Sequence, residues 1–336
     1  MSNSARIIIV VVNYRTPDLT VACLESLAAD PWVAQHARVV VVENGSEDDS
    51  AVRLRQQTGR WTWVSLVVSQ KNLGFAGGNN LGIRAATGRD EGETRRHGDA
   101  ETCLPPKYVL LLNSDTIVKA GCLEKCVGRM DEDRRIGAMS CRVLNADGSV
   151  QNVARKFPSP LRTILAGLGL PWKFPRLFGW ADTDDGSWDR NTQSRDVDWL
   201  GGAFLMLRPE AFGGIIRLDE DFFFYGEDVE ICHRVQRAGY RCHYAPVADI
   251  THLGGASSDP GRLTDSDRSI HQWRARYLLQ RKLYGRWAEW LVRGLDLLTT
   301  AARLCRAWLR FNADPSRYDS LRRQWRTISR PLVVTP

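Results

Sequence analysis

The residues with chemistry in them are a few carboxylates, several asparagines and one histidine. Glu227 and Asp228 stand side by side after Phe222-Phe223-Phe224-Tyr225-Gly226, and Glu230 follows. Residues 231–238 alternate apolar and basic at helical spacing and stop at Gly239. An apolar segment therefore delivers two adjacent carboxylates to the start of a helix, where negative charge is stabilised and a carboxylate can be posed as a general base. An ordinary helix cap accounts for the same acids in this stretch alone. Asp115 follows the apolar run ending at Leu112, within Asn113-Ser114-Asp115-Thr116. A carboxylate placed there can hold Mg²⁺ or Mn²⁺ together with substrate phosphates, or cap the next turn. His252 ends another apolar segment beside glycines, within reach of a metal or of a plain edge hydrogen bond. Asn13 and Tyr14 follow one apolar run, and Glu43, Asn44 and Ser46 another. Asn72, Gly74 and Asn79 lie in Asn72-Leu73-Gly74-Phe75-Ala76-Gly77-Gly78-Asn79, where glycines allow close backbone approach to a ligand.

These residues need strands that end on one edge. Residues 6–12 form a continuous β-branched run, as in a parallel strand buried on both faces. Thr16 and Pro17 suit the cap and first position of a helix running to about Ala29. Further strands are expected at 38–43, 61–68, 107–112 and 136–143, with a polar helix over 47–57 and another starting near Ala76. That alternation predicts an α/β fold with right-handed crossovers, whose ligands bind beyond the carboxyl ends of the strands. The helix near Ala76 is expected to turn its N-terminus to a phosphate, or simply to follow a tight turn. Its glycines do not spell G-x-G-x-x-G, so a dinucleotide fingerprint is not supported. Asn145-Ala146-Asp147-Gly148 reads as a hairpin turn. Residues 155–195 read as irregular, suiting an acceptor-side lid. Residues 89–106 read as a polar surface insertion, with His97 solvated. Residues 199–207 are a glycine-marked strand containing Gly201 and Gly202, and 241–245 and 249–252 are short strands.

The 336 residues are 43% hydrophobic and 25% charged, an ordinary globular balance, with a formal net charge of +7. The charge is uneven: residues 268–336 hold 15 Lys/Arg against 4 Asp/Glu, which leaves the preceding chain slightly acidic. The basic tail suits an anionic surface, such as phospholipid. Nucleic acid is not expected, because the main domain is acidic. Among the eight cysteines, Cys122 and Cys126 lie four apart on one helical face, but no Cys/His spacing resembles a zinc site. They read as reduced core residues in a reducing compartment. No apolar run reaches the roughly 20 residues of a membrane span, and the N-terminus does not read as a signal peptide. A cytoplasmic protein is expected, with any membrane contact peripheral on the inner face. Residues 286–311 mix Trp, Leu and Arg and suit an interfacial helix, a helix packed on the catalytic domain, or a dimer contact.

Seven segments in order resemble family 2 glycosyltransferases of the GT-A fold, in the bacterial rhamnosyltransferase-like branch: Val12-Asn13-Tyr14, Glu43-Asn44-Gly45-Ser46, 72–79, Leu112-Asn113-Ser114-Asp115-Thr116, Gly201-Gly202-Ala203-Phe204, Tyr225 to Glu230, and Thr251-His252. The resemblance covers about residues 6–260. It implies a Rossmann-like mixed sheet flanked by helices over 1–265, with a basic helical extension over 266–336. It also implies inverting, metal-dependent transfer of a sugar, rhamnose being one candidate, from a dTDP- or UDP-linked donor. The acceptor would be a glycan or lipid-linked molecule of cell-surface polysaccharide synthesis. By that likeness Asn13, Tyr14, Glu43, Asn44, Ser46, Asn72, Gly74, Asn79, Asn113 and Asp115 bind the nucleotide sugar. Asp115 and His252 hold the Mg²⁺ or Mn²⁺, Gly201, Gly202 and Glu227 face the acceptor, and Asp228 is the base. Two departures stand out. Glu43 replaces the family's frequent Asp, which leaves the base open, and Asn113 replaces the first acid of the D-x-D motif, which thins the metal shell.

Other classes fit less well. A sugar-phosphate nucleotidyltransferase wants a glycine-rich, arginine-containing loop after the first strand, and the loop here, 13–17, has no glycine. A non-catalytic nucleotide-sugar binder has no need of both Asp115 and Asp228. A processive synthase needs several membrane spans and a Q-x-x-R-W motif, which Gln272-Trp273-Arg274 does not match.

Overall fold

A computed structural model describes residues 5–88, 106–254, 265–309 and 315–330. The insertion expected at 89–106 lies outside them except for Pro106, and so does His97. The chain begins with β1 (Ile7–Asn13), α1 (Pro17–Ala28), α2 (Pro31–His36), β2 (Ala37–Asn44), α3 (Ser50–Thr58), β3 (Val64–Ser69) and α4 (Gly74–Thr87). It continues through β4 (Tyr108–Asn113), β5 (Thr116–Val118), α5 (Cys122–Glu132), β6 (Ile136–Leu144) and β7 (Ala154–Arg155). Then come α6 (Pro160–Gly167), α7 (Leu170–Lys173), α8 (Pro175–Phe178), β8 (Arg195–Val197), β9 (Trp199–Leu200), β10 (Phe204–Leu207) and α9 (Glu227–Arg237). The last elements are β11 (Arg241–His252), α10 (Asp265–Tyr284), α11 (Arg286–Leu309) and α12 (Pro315–Ser329).

The main sheet runs β3-β2-β1-β4-β10-β6-β11-β5, and β8 pairs with β11. β1 to β4 are mutually parallel, as their unbroken apolar runs require. Ile7 to Val11 and Val39 to Val42 are almost wholly buried. β10 is antiparallel to both β4 and β6, so its start at Phe204 lies opposite Leu112 at the carboxyl end of β4. That reversal carries Gly201 and Gly202 to the same edge as Asn13, Glu43 and Asn113. The glycines split the expected strand at 199–207 in two. The two strands expected at 241–252 are instead one, β11, with a register shift between Tyr244 and Asp249.

By internal contacts the chain divides into two compact units. One comprises Met1–Arg155, Gly186–Phe223 and Glu227–Arg262, and contains the sheet. The other comprises Lys156–Asp185, Phe224–Gly226 and Leu263–Pro336. Residues 156–185 thus group with the C-terminal helices. They are also more regular than expected, since α6, α7 and α8 lie there, α6 capped by Ser159 Oγ accepting from Arg162 N at 3.3 Å. Tyr277, Val292 and Ile328 form the small core of the second unit, with Ile164, Trp273 and Leu297 against it. Asp296 accepts from Arg276 Nε at 2.9 Å and Tyr277 Oη at 3.1 Å, tying α10 to α11. Among the described residues no helix is long and apolar enough to cross a membrane.

Candidate active site

The carboxyl ends of β1, β2 and β4 are knitted together by side chains. Asn13 is fully buried, and its Oδ1 accepts from Thr20 Oγ1 at 2.9 Å and Thr16 Oγ1 at 3.2 Å. Its Nδ2 is buried and has no partner among the described residues. Thr16 Oγ1 also lies 3.3 Å from Ser114 Oγ, beside Asp115. Thr16 therefore joins two loops instead of capping α1 with its side chain. Glu43 Oε1 accepts from Ser46 N at 2.8 Å, and Ser46 Oγ accepts from Arg15 N at 2.9 Å. The Arg15 guanidinium lies over the Tyr14 ring. These contacts gather Arg15, Tyr14, Glu43 and Ser46 beside Asn13 at the carboxyl ends of β1 and β2.

The asparagines after β2 and β3 behave differently. Asn44 Nδ2 donates to Gly74 O at 3.0 Å and Asn72 Oδ1 at 3.1 Å, while its Oδ1 accepts from Leu73 N at 3.1 Å. Asn72 Oδ1 accepts from Gly74 N, and Asn79 Nδ2 donates to Phe75 O, both at 2.9 Å. Phe75 N donates to Phe223 O at 2.9 Å. The amides of Leu73, Gly74 and Phe75 are therefore all satisfied within the protein. Of the two readings, the tight turn accounts for these three amides. Asn44, Asn72 and Asn79 shape the loop, and Gly74, at φ +72°, lets it pass against the Phe223 carbonyl.

Asp115 and His252 meet because β5 pairs antiparallel with the end of β11, and Leu253 N donates to Asp115 O at 2.9 Å. Asp115 Oδ1 lies 3.1 Å from His252 Nε2, and Asp115 Oδ2 is buried without a partner. Gln151 Oε1 accepts a hydrogen bond from His252 Nδ1 at 2.9 Å, which keeps the proton on that nitrogen. In the neutral ring Nε2 is then an acceptor. Asn113 Nδ2 faces that atom at 3.3 Å. Two acceptors 3.1 Å apart beside an orphaned carboxylate oxygen make a donor set suited to a cation, so the residues fit a divalent metal. Gln151, which fixes the imidazole, carries no sequence signal of its own.

Glu227 and Asp228 open α9 as expected, after Tyr225 and Gly226 with φ of 72° and 98°. Glu230 is bound by both oxygens to Arg234 Nε, at 2.9 and 3.0 Å, which leaves the other two acids for chemistry. Glu227 is buried, and its Oε2 has no partner. Burial first, and the neighbouring Asp228 second, push its carboxyl up to about 8. Asp228 is half-buried, and desolvation lifts it to about 6 against opposing hydrogen bonds from the Val229 and Gly202 amides and the charge of Arg155. Near neutral pH the pair therefore divides, Asp228 ionised and Glu227 protonated. Phe75 lies beside Gly202, and Asn113 N donates to Ala203 O at 3.1 Å, so the 201–203 turn links Asp228 to the Asp115 end of β4. Arg155, from β7, escaped the sequence reading because it sits in a stretch that reads as irregular.

Residues 7–182 match the family described as Glycosyl transferase family 2. The chain belongs to that family. As a family 2 member it is a glycosyltransferase, in agreement with the resemblance read from its motifs. The chain is 30% identical over 260 residues to N-acetylglucosaminyl-diphospho-decaprenol L-rhamnosyltransferase of Mycobacterium tuberculosis, covering 76% of this chain and 80% of that protein. It is 26% identical to rhamnosyltransferase WbbL of Escherichia coli, covering 73% and 82%. Among solved structures, the mannosyltransferase PcManGT of Pyrobaculum calidifontis, in complex with GDP-Man and Mn²⁺, matches with TM-score 0.51. That match is 16% identical over 98% of this chain and 85% of the other, and it supports a GT-A-like fold for this family 2 glycosyltransferase.

Proposed function

We propose that this enzyme transfers a sugar, with inversion, from a nucleoside diphosphate donor to a hydroxyl of a lipid-linked glycan, and that Asp228 is the base. The observation that carries the reading is the split Glu227/Asp228 pair at the start of α9, joined through the 201–203 turn to the β4 edge that holds Asp115. The acceptor hydroxyl is a poor nucleophile until its proton is accepted. Asp228, ionised and half-exposed, takes that proton as the oxygen attacks the anomeric carbon. The bond from that carbon to the diphosphate oxygen breaks on the opposite face. Glu227, protonated, keeps a donor for an acceptor oxygen and adds no second charge beside the base. Arg155 holds the Asp228 charge. Asp115 and His252, oriented by Gln151, would hold Mg²⁺ or Mn²⁺, which offsets the charge of the leaving diphosphate. Asn13 Nδ2, Tyr14, Glu43 and Ser46 form the side for the nucleotide.

The relatives' names favour rhamnose as the sugar and a polyprenyl-diphosphate-linked acceptor, as in cell-surface polysaccharide synthesis. A peripheral seat on an anionic membrane agrees with this. Trp287, Trp290, Leu298 and Trp308 of α11 are exposed, in a segment rich in arginine. Thermal melting with UDP, dTDP and GDP, each with Mn²⁺ or Mg²⁺, tests the donor side. Stabilisation by dTDP or UDP that needs the metal is expected, and none from any nucleotide would contradict the reading.

A further inference from the structure

Outside the active site, three thiols converge. Cys122 is the first residue of α5, Cys126 lies one turn further on, and Cys141 comes from the middle of β6. Their sulfur atoms all lie within 4.8 Å of one another, and all three residues are buried. We propose that this trio is a binding site for a soft, zinc-class metal ion, distinct from the oxygen and nitrogen donors of Asp115 and His252. Zinc–sulfur bonds of about 2.3 Å place neighbouring thiolates roughly 4 Å apart. Closure of the trio thus asks for less than about 1 Å of movement from the observed limit. Thiolate is the ligand class that selects such ions over Mg²⁺ and Mn²⁺.

The surroundings supply the other requirements of a metal site. Cys122 lies at the wall of a cleft of about 240 Å³ lined also by Lys119, Lys125, Arg142 and Asp249. Asp249 accepts from Arg142 Nε at 2.7 Å and Lys119 Nζ at 3.0 Å. Two cations therefore share that carboxylate, and with Lys125 in the same lining the cleft carries net positive charge, which complements the net negative charge of three thiolates around a divalent ion. The start of α5 also favours a thiolate at Cys122. In sequence the site is hidden, because only the Cys122–Cys126 spacing is local and Cys141 arrives from a strand. A metal here would clamp α5 to β6. The active-site residues lie close by in the fold: β5, just after Asp115, leads into α5, and β6 pairs with β11, which ends at His252.

Cadmium titration of the full, reduced chain tests the site, because thiolate-to-cadmium charge transfer absorbs in the ultraviolet. One saturating equivalent is expected in the wild type and in Asp115→Asn. The band should be lost in Cys141→Ala and in Cys141→Ser, two variants that keep a small side chain and whose folding is checked by circular dichroism. Zinc should compete for the same equivalent and raise the melting temperature of the wild type and of Asp115→Asn, but not of either Cys141 variant. A wild type with no stoichiometric band, or a band that persists without Cys141, would show three core thiols only and overturn the proposal.

Discussion

Asp228 and Glu227 are adjacent carboxylates in one apolar setting, and their roles separate because Asp228 is the less buried and has more amide partners. Val229 N donates to Asp228 Oδ1 at 2.8 Å, while Glu227 Oε2 has no partner. Burial of a carboxylate disfavours its charged form, so both acids titrate late, Glu227 later than Asp228. A base works when deprotonated, and here its neighbour must stay protonated. The profile of kcat/KM should therefore rise through about pH 6 as Asp228 ionises, and fall through about pH 8 as Glu227 loses its proton. In Glu227→Gln the alkaline limb should vanish and the acid limb remain. An alkaline limb unchanged in that variant would assign it to another group. At Asp115 and His252 the chemistry was legible as residue types, but the partner that aims the imidazole was not. Gln151 becomes visible only when the turn after β6 brings it to His252.

At the scale of elements, three strand ends and one reversed strand build the site. The buried runs of β1, β2 and β4 were legible because β-branched and leucine residues alternate with nothing polar. The antiparallel β10 was not, because a four-residue apolar strand has no directional signature. The glycine-rich start of α4 left two readings open, a helix start facing a phosphate and a tight turn that needs glycine for its shape. The structure favours the turn: the side chains of Asn44 and Asn72 and the Phe223 carbonyl occupy the Leu73, Gly74 and Phe75 amides. The glycine is needed for backbone shape. A Cβ at Gly74 would overlap the Phe223 carbonyl oxygen, at a φ that side chains rarely adopt. Gly74→Ala should therefore destabilise the fold by about 1–3 kcal/mol, read as a lower denaturant midpoint. A midpoint equal to wild type would show that the α4 loop is not held as described. Residues 156–185 carry too many prolines and aromatics to give a clean helical period, yet Pro160, Pro171 and Pro175 stand in the first turns of α6, α7 and α8, where proline suits a helix.

For the whole molecule, charge and exposed aromatics are segregated. The sheet-bearing part of the chain is slightly acidic, whereas residues 268–336 carry 15 Lys/Arg. The second unit exposes Trp172 to 65% and Trp287 and Trp290 to 62% each. Binding to vesicles containing phosphatidylglycerol is expected at low salt and should weaken as salt is raised; no sedimentation with such vesicles at low salt would remove the membrane reading. The central claim is that the molecule is a single-displacement glycosyltransferase with Asp228 as its base. It is tested most directly by comparing wild type and Asp228→Asn in donor binding, by calorimetry with a dTDP- or UDP-linked sugar and Mn²⁺, and in transfer to a polyprenyl-diphosphate-linked acceptor. The account predicts donor affinity within a few-fold of wild type and transfer slower by about 10²- to 10⁴-fold. Transfer by Asp228→Asn at close to the wild-type rate would contradict it.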